Sequence, residues 1–273
     1  PGDNYIPENH GTGNCYQRGI EWKHPASVEF LYDGLYFQQD FGLRIHGGWS
    51  RRLAQKNFRL YARNEYGDNR FYHRVFPHLN YENYNRLILR ASGNETDFSM
   101  FRDPVAQILV GHFNLDTQAY HPTIVFVNGE YWGLKNLRER FDEHYLARVY
   151  GVDPDNVDYL SAEYGSMIVK EGDDVHYQNM LNHLSDNNMS NDQAYQEVST
   201  MMDIDNFIDY YAAQIYFAND DWPFNNIDYW RLKTDYDPDA ETGHDGRWRW
   251  LLYDIDRTLN YHTDHSFNMI NFL

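Results

Sequence analysis

Apolar and polar positions alternate through much of the first half of the chain and recur at helical spacing through much of the second. Residues 1–25 are rich in Gly, Pro and Asn and read as an irregular arm. S-V-E-F-L-Y from Ser27 and L-Y-F-Q-Q-D-F-G-L-R-I from Leu35 predict two strands turning at Asp33-Gly34. Lys56 to Tyr61 alternates and predicts a third strand, and Arg86 to Arg90 a short fourth. Phe101 to Phe113 has helical spacing, with Val105, Ile108, Leu109 and His112 on one face. Pro104 falls near its first turn, where proline is tolerated. Thr123–Val127 and Tyr131–Leu137 predict a hairpin across Asn128-Gly129, a pair suited to positive φ. Phe141–Tyr150 predicts a helix stopped by Gly151.

Beyond this point helices dominate. His176–Leu184 and Asp192–Met202 read as surface helices, and Ile204–Ala218 as a core helix with Phe207, Ile208, Tyr211 and Ile215 at core-type spacing. Ile227–Leu232 and Trp248–Tyr253 then predict paired strands joined by a polar, Gly-bearing loop. A β-rich part (26–138) precedes a helix-rich part (139–273), so the expected class is α+β.

Composition narrows the function classes. With 273 residues, 42% hydrophobic and 17% aromatic, the chain can bury a large core and is not disordered. A net charge of −18 opposes nucleic acid and anionic membranes and favours a basic partner, if any. Cys15 is the one cysteine, which excludes an internal disulfide. No apolar run approaches membrane-spanning length. The chain opens on Pro1 without an initiator Met, so an excised or processed piece is expected. The 13 histidines form no metal-ligand pattern; His262 and His265 near the end read as part of a tail. No G-x-S-x-G elbow is present.

The chemistry concentrates between Asn219 and Asp256. N-D-D-W-P-F-N-N places Asn226 five positions after Asp221, and the apolar run Trp248–Tyr253 delivers Asp254. An Asp, an Asn five residues on and a later Asp at a strand end form the skeleton of a kinase-type phosphoryl-transfer site. Asp221 can orient or deprotonate a hydroxyl, while Asn226 and Asp254 supply the hard oxygen donors that Mg2+ takes beside phosphates. Asp256, two residues on, would point to the same side as Asp254 if the strand continued. The same residue types also make an ordinary polar loop and a capped turn. Lys56 opens a strand after the Gly47-Gly48 turn and could neutralise phosphate charge or be an exposed edge lysine. Arg51 could approach phosphates or pair with carboxylates. Glu139 sits at a boundary of the expected lobes and could contact nucleotide, pair with a cation or be solvated. The loop Lys170–Asp174 could face substrate or be an acidic turn.

Several longer blocks resemble the CotH kinase family, named for spore coat protein H. They are R-I-H-G-G-W-S-R-R-L-A-Q-K-N-F-R-L from Arg44, R-L-I-L-R-A-S-G-N from Arg86, M-F-R-D-P from Met100 and V-N-G-E-Y-W-G-L-K-N-L-R-E-R from Val127, followed by N-D-D-W-P-F-N-N and W-L-L-Y-D-I-D. They occur in order from about residue 40 to about residue 260. The resemblance implies one domain with a bilobal, atypical protein-kinase-like fold, a β-rich N-terminal lobe and a helix-rich C-terminal lobe. It further implies ATP with Mg2+ or Mn2+, γ-phosphoryl transfer to Ser or Thr of a protein substrate, and an extracellular or surface setting within a larger secreted bacterial protein. Under it Asp221 is catalytic, Lys56, Arg51 and Glu139 bind nucleotide, and Asn226, Asp254 and Asp256 bind metal. The sequence departs from the family in carrying Glu95 where Asp is usual, and R-T-L-N-Y-H after D-I-D in place of a Gly-rich turn. Glu95 is one candidate to pair with Lys56. A kinase-like scaffold module is the alternative, its many Tyr and Trp suiting flat contacts. A glycoside hydrolase needs only two carboxylates, but nothing selects a pair.

Overall fold

The computed structural model describes residues 13–262, 264 and 266–273; the start of the expected arm and His265 lie outside them. The fold is mixed α+β. Its strands are β1 (His24–Tyr32), β2 (Leu35–His46), β3 (Asn57–Tyr61), β4 (Arg86–Arg90), β5 (Asp116–Thr117), β6 (Tyr120–Val127), β7 (Glu130–Glu139), β8 (Val157–Glu163), β9 (Ser166–Glu171), β10 (Ile227–Leu232) and β11 (Arg249–Leu252). The helices are α1 (Arg102–Leu109), α2 (Glu143–Tyr150), α3 (Val175–Asp186), α4 (Asp192–Ser199), α5 (Ile204–Tyr216) and α6 (Met269–Phe272). The chain divides into two compact units. One takes residues up to Phe101 together with Ala119–Arg140; the other takes Arg102–Gln118 and Phe141–Leu273. Residues 102–118, within the expected β-rich part, thus belong to the second unit.

The first unit is an antiparallel sheet in the order β1-β2-β3-β4-β7-β6. Alternation along β3 sends Phe58 and Leu60 to one face and Arg59 and Tyr61 to the other. Phe58 and Leu60 join Phe41, Leu87, Leu137, Phe71 and Phe76 in a buried core. The hairpin tips form as their residues dictate: Asp33-Gly34 and Asn128-Gly129 all take positive φ, which two-residue turns of this kind require.

The second unit carries the sheet β5-β11-β10-β8-β9, with β5 parallel to β11 and the other pairs antiparallel. Trp222, Trp248, Trp250, Tyr210 and Tyr229 dominate its core. Asp142 caps α2 by accepting from the His144 and Tyr145 amides, and Gly151 ends it at φ 72°. Asp203 caps α5, which packs on β11.

Two helices depart from the expected faces, α5 only at Ile208. In α1, Ile108 and Leu109 are exposed, and Asp103, Pro104, Ala106 and Gln107 are buried. The buried polar pair is satisfied internally: Gln107 Nε2 donates to Asp103 Oδ1 at 2.9 Å and Gln107 Oε1 accepts from the Gln118 amide at 2.7 Å. In α5, Phe207, Tyr211 and Ile215 pack partly buried against the core as expected, Ile208 is exposed, and Asn206, Tyr210, Ala213 and Gln214 are the fully buried positions. Asn206 earns its place through the β11 backbone: its amide exchanges hydrogen bonds with the Trp250 amide at 2.6 Å and carbonyl at 3.3 Å. The hairpin β8–β9 lies in a stretch to which the sequence reading assigned no element.

Candidate active site

The loop from Asn219 to Asn226 joins α5 to β10 and is fixed from its ends inward. A buried polar chain runs from Tyr210 OH to Gln214 Nε2 at 3.0 Å, and from Gln214 Oε1 to Asn219 Nδ2 at 2.8 Å. Asn219 Oδ1 then accepts from the Asp221 amide at 3.2 Å. Trp222 is fully buried with its ring centroid 4.7 Å from that of Tyr211. On the far side, the Gly165 amide donates to Phe224 O at 2.8 Å, so the β8–β9 turn braces the loop.

These restraints bring Asp221 and Asn226 together. Asn226 Nδ2 donates to Asp221 Oδ2 at 2.9 Å, and Asn225 Nδ2 donates to the same oxygen at 3.2 Å. Because the Asn226 amide nitrogen is turned to Asp221, its carbonyl oxygen is left for another partner. Arg257 grips Asp220 with Nε–Oδ1 at 2.8 Å and Nη2–Oδ2 at 3.1 Å, and reaches Asp221 Oδ1 at 3.4 Å. His262 Nδ1 lies 3.2 Å from Asp220 Oδ2. Asp220 is therefore the anchored carboxylate, and Asp221 the more lightly held one. Burial raises the pKa of Asp221; Arg257 and Asn225 oppose that rise, and the charges of Asp254 and Asp220 add to it. Asp254 is thus close enough for its charge to be felt at Asp221.

Asn226 and Asp254 both hold positive φ, 57° and 51°. Non-glycine residues in this region persist where the surroundings over-determine them, often at functional loops. For Asp254 the restraint is visible on its neighbour. The Ile255 amide donates to Asp103 Oδ1 at 2.9 Å, and Ile255 O accepts from Thr258 Oγ1 at 2.8 Å. Asp103 is the residue that sequence reasoning missed. It lies in the M-F-R-D-P block, quoted above for its resemblance alone, and it holds the peptide flanked by Asp254 and Asp256. The period-of-two argument for Asp256 does not apply, because β11 ends at Leu252 and Asp254 turns the chain. Asp256 is buried.

The other expected site residues belong to the first unit. Lys56 is buried, and its ammonium donates to Arg51 O at 2.9 Å and to Leu53 O. It caps the turn Trp49–Arg52, and among the described residues no carboxylate is its partner, Glu95 included. Glu95 is itself buried and accepts from Ser99 Oγ at 2.8 Å. Arg51 is buried as well and donates to Gly47 O, Cys15 O, Gln17 O and Ile45 O between 2.6 and 3.0 Å. Burial lowers its pKa to about 10. Both cations therefore hold backbone. Glu139 ends β7, is buried, and accepts from the Ala119 amide at 3.0 Å. The loop after Lys170 is a braced acidic turn: the Asp173 amide donates to Asp158 Oδ1 at 3.0 Å, and Lys233 pairs with Asp173 at 2.9 Å.

Among the described residues no group of three or more His, Cys, Asp or Glu gathers to hold a metal ion. That does not conflict with Mg2+, which takes one or two protein carboxylates and completes its shell with phosphate oxygens and water. The Asn226 carbonyl and the Asp254 carboxylate are the hard oxygen donors it prefers, and they fit such an ion.

An α+β chain whose loop couples an Asp to an Asn five residues on, with a restrained Asp after a strand, has the parts of a kinase-type site. The CotH kinase protein family matches residues 43–272, and the chain belongs to that family. Membership points to a kinase-like function. No curated protein matches the chain.

Proposed function

We propose that this protein is an ATP-using, metal-dependent kinase that transfers the γ-phosphoryl group to Ser or Thr hydroxyls of secreted or surface proteins. Asp221 orients the acceptor hydroxyl and takes its proton. Asn226, Asp254 and Asp256 would hold Mg2+ or Mn2+. When bound, the ion would neutralise charge developing on the phosphates. The observation that carries the reading is the 2.9 Å bond from Asn226 Nδ2 to Asp221 Oδ2, which couples base and metal ligand within one loop. Burial that raises the pKa of Asp221 makes it a stronger proton acceptor than a solvated carboxylate. Family membership supports the kinase class.

The test is Asp254→Ala in a labelling assay with γ-labelled ATP and Mg2+ or Mn2+. Label transfer should fall by at least about a hundredfold, the scale of losing one charge-stabilising group, with the melting temperature unchanged. Unaltered transfer overturns the assignment. A wild-type chain showing neither transfer nor metal-dependent stabilisation by ATP would instead favour a scaffold module.

A further inference from the structure

Strand register in the first unit assembles a partly buried cationic face on a strongly acidic chain. The chain carries 23 Lys and Arg against 41 Asp and Glu. Directly paired residues of an antiparallel sheet share a face. Arg44 pairs with Arg59 and His46 with Asn57 across β2–β3; Tyr61 pairs with Arg86 and Arg59 with Ile88 across β3–β4; Ile88 pairs with Arg138 across β4–β7. Arg44, Arg59, Arg86 and Arg138 therefore stand on the face opposite the Phe58–Leu60 core, and Arg90, two residues after Ile88, joins them. Arg44 and Arg86 flank the Tyr61 ring at 5.4 and 5.9 Å from its centroid.

The polar atoms at the centre of this face are incompletely satisfied. Arg59 Nη2 meets His46 Nδ1 at 2.6 Å, and Arg59 Nη1 donates to Tyr61 OH at 3.3 Å. Arg44 Nη1 donates to Gly19 O at 3.0 Å. The Nε atoms of both Arg44 and Arg59 are buried and have no hydrogen-bond partner among the described residues. Burial, then Arg59, Arg140, Arg90 and Arg51, hold the pKa of His46 well below its ordinary value, so His46 is neutral and accepts from Arg59. Burial and the neighbouring Arg140 and Arg44 lower the pKa of Arg59 to about 9, and the Tyr61 hydroxyl opposes them. The dominant charges around Arg59 and His46 are thus cations. Buried donors without acceptors and crowded like charges are both costly. A multiply charged anion relieves both.

We infer that this face of the six-stranded sheet binds a phosphate chain, with Arg59 and Arg44 as its recognising cations. Guanidinium groups donate in pairs to phosphate oxygens, and two of them separated across adjacent strands suit linked phosphates better than a single one. Lys56 and Arg51 are not part of this site, since their donors hold backbone carbonyls. The inference concerns a face of the first unit and rests on the kinase reading only for the phosphate chain being that of a nucleotide; anion binding itself needs no turnover.

The test is calorimetric titration of the full chain, free of divalent cations, with inorganic tripolyphosphate, ATP and adenosine. Tripolyphosphate and ATP should bind, with affinity falling as salt is raised, and adenosine should not. Arg59→Gln and Arg44→Gln should each weaken tripolyphosphate by about tenfold, the scale of losing one charge-assisted contact. Asp254→Ala should bind tripolyphosphate as the wild type does, even if it transfers no label, which separates this site from the transfer chemistry. ATP binding tighter than tripolyphosphate assigns the site to a nucleotide; equal or weaker binding assigns it to free polyphosphate. The inference is overturned if wild type binds no tripolyphosphate, or if the substituted chains bind it equally well. Should Arg59→Gln fail to fold, Arg44→Gln and the conservative Arg59→Lys carry the comparison.

Discussion

Lys135 offers a direct measurement of what burying a charge costs this fold. It lies on the core face of β7, beside Leu137, and is 1% exposed. Its ammonium has one acceptor, Gln55 Oε1 at 2.9 Å, and no carboxylate partner among the described residues. Gly133 makes room for that contact, since a Cβ there would lie 2.9 Å from Gln55 Nε2. Burial lowers the pKa of Lys135 from 10.5 to about 8. At 1.36 kcal/mol per pH unit the gap amounts to about 3 kcal/mol of destabilisation carried by the charged form. Below pH 8 both folded and unfolded chains are protonated there, and the whole penalty is present. Between about 8 and 10.5 the unfolded chain holds the proton and the folded chain does not, so stability rises with pH; above 10.5 the penalty is gone. Lys135→Met keeps length and flexibility, removes the charge and loses one hydrogen bond, at a cost of about 1 kcal/mol. The substituted chain should therefore be more stable than wild type by about 2 kcal/mol near pH 7. It should become less stable by about 1 kcal/mol once pH exceeds the unfolded lysine value. Urea unfolding of both chains at matched pH from 6.5 to 11 gives the difference, in which other titrations cancel. A difference that does not change with pH, or a loss of stability at pH 7, refutes the reasoning.

Two further substitutions separate packing from positioning in the site. Trp222→Ala removes a fully buried ring from the loop between α5 and β10 and should cost about 3–5 kcal/mol in chemical denaturation, with label transfer falling in step. A loss below about 1 kcal/mol would mean that the loop does not depend on this ring. Asp103→Asn keeps the one oxygen that already accepts from both Gln107 Nε2 and the Ile255 amide, but removes the charge that strengthens those bonds. Turnover should drop by about a hundredfold, the scale of a misplaced catalytic group, with a much smaller change in melting temperature. Equal losses in both would reduce Asp103 to a structural role.

The elements that sequence alone made legible are those where local chemistry and tertiary packing agree. Alternation located β2 and β3, a short apolar run located β4, and Asn128-Gly129 located the β6–β7 hairpin; that pair supplies the positive φ its turn requires, as Gly151 does at the end of α2. Failure came where polar side chains are buried. A search for apolar periodicity places Ile108 and Leu109 inward, yet Asp103 and Gln107 take the inner face of α1 because they bond each other and accept from the Ile255 and Gln118 amides. Asn206 displaces Ile208 in α5 for the same reason. In the loop, Asp221 and Asn226 do meet, since five residues of a tight loop return the chain on itself, but their spacing alone did not single them out from an ordinary polar loop.

Cations were the hardest residues to read, because a sequence displays a charge without saying where its donors go. Lys56 and Arg51 follow a Gly-Gly turn and look available, but the turn itself has carbonyls to satisfy, and these two residues satisfy them. Arg44 and Arg59 look like ordinary strand residues, separated by 15 positions. Only the register of β2 on β3 sets them side by side. Their position then follows from a simple conflict. Period-two alternation gives β3 one apolar and one polar face, and once Phe58 and Leu60 are committed to the core, Arg59 has no choice of side. A charge delivered by this constraint to a crowded, half-buried face, with a donor left unmatched, requires a partner that the described residues do not supply at that atom. An anionic ligand is the partner whose chemistry meets that requirement.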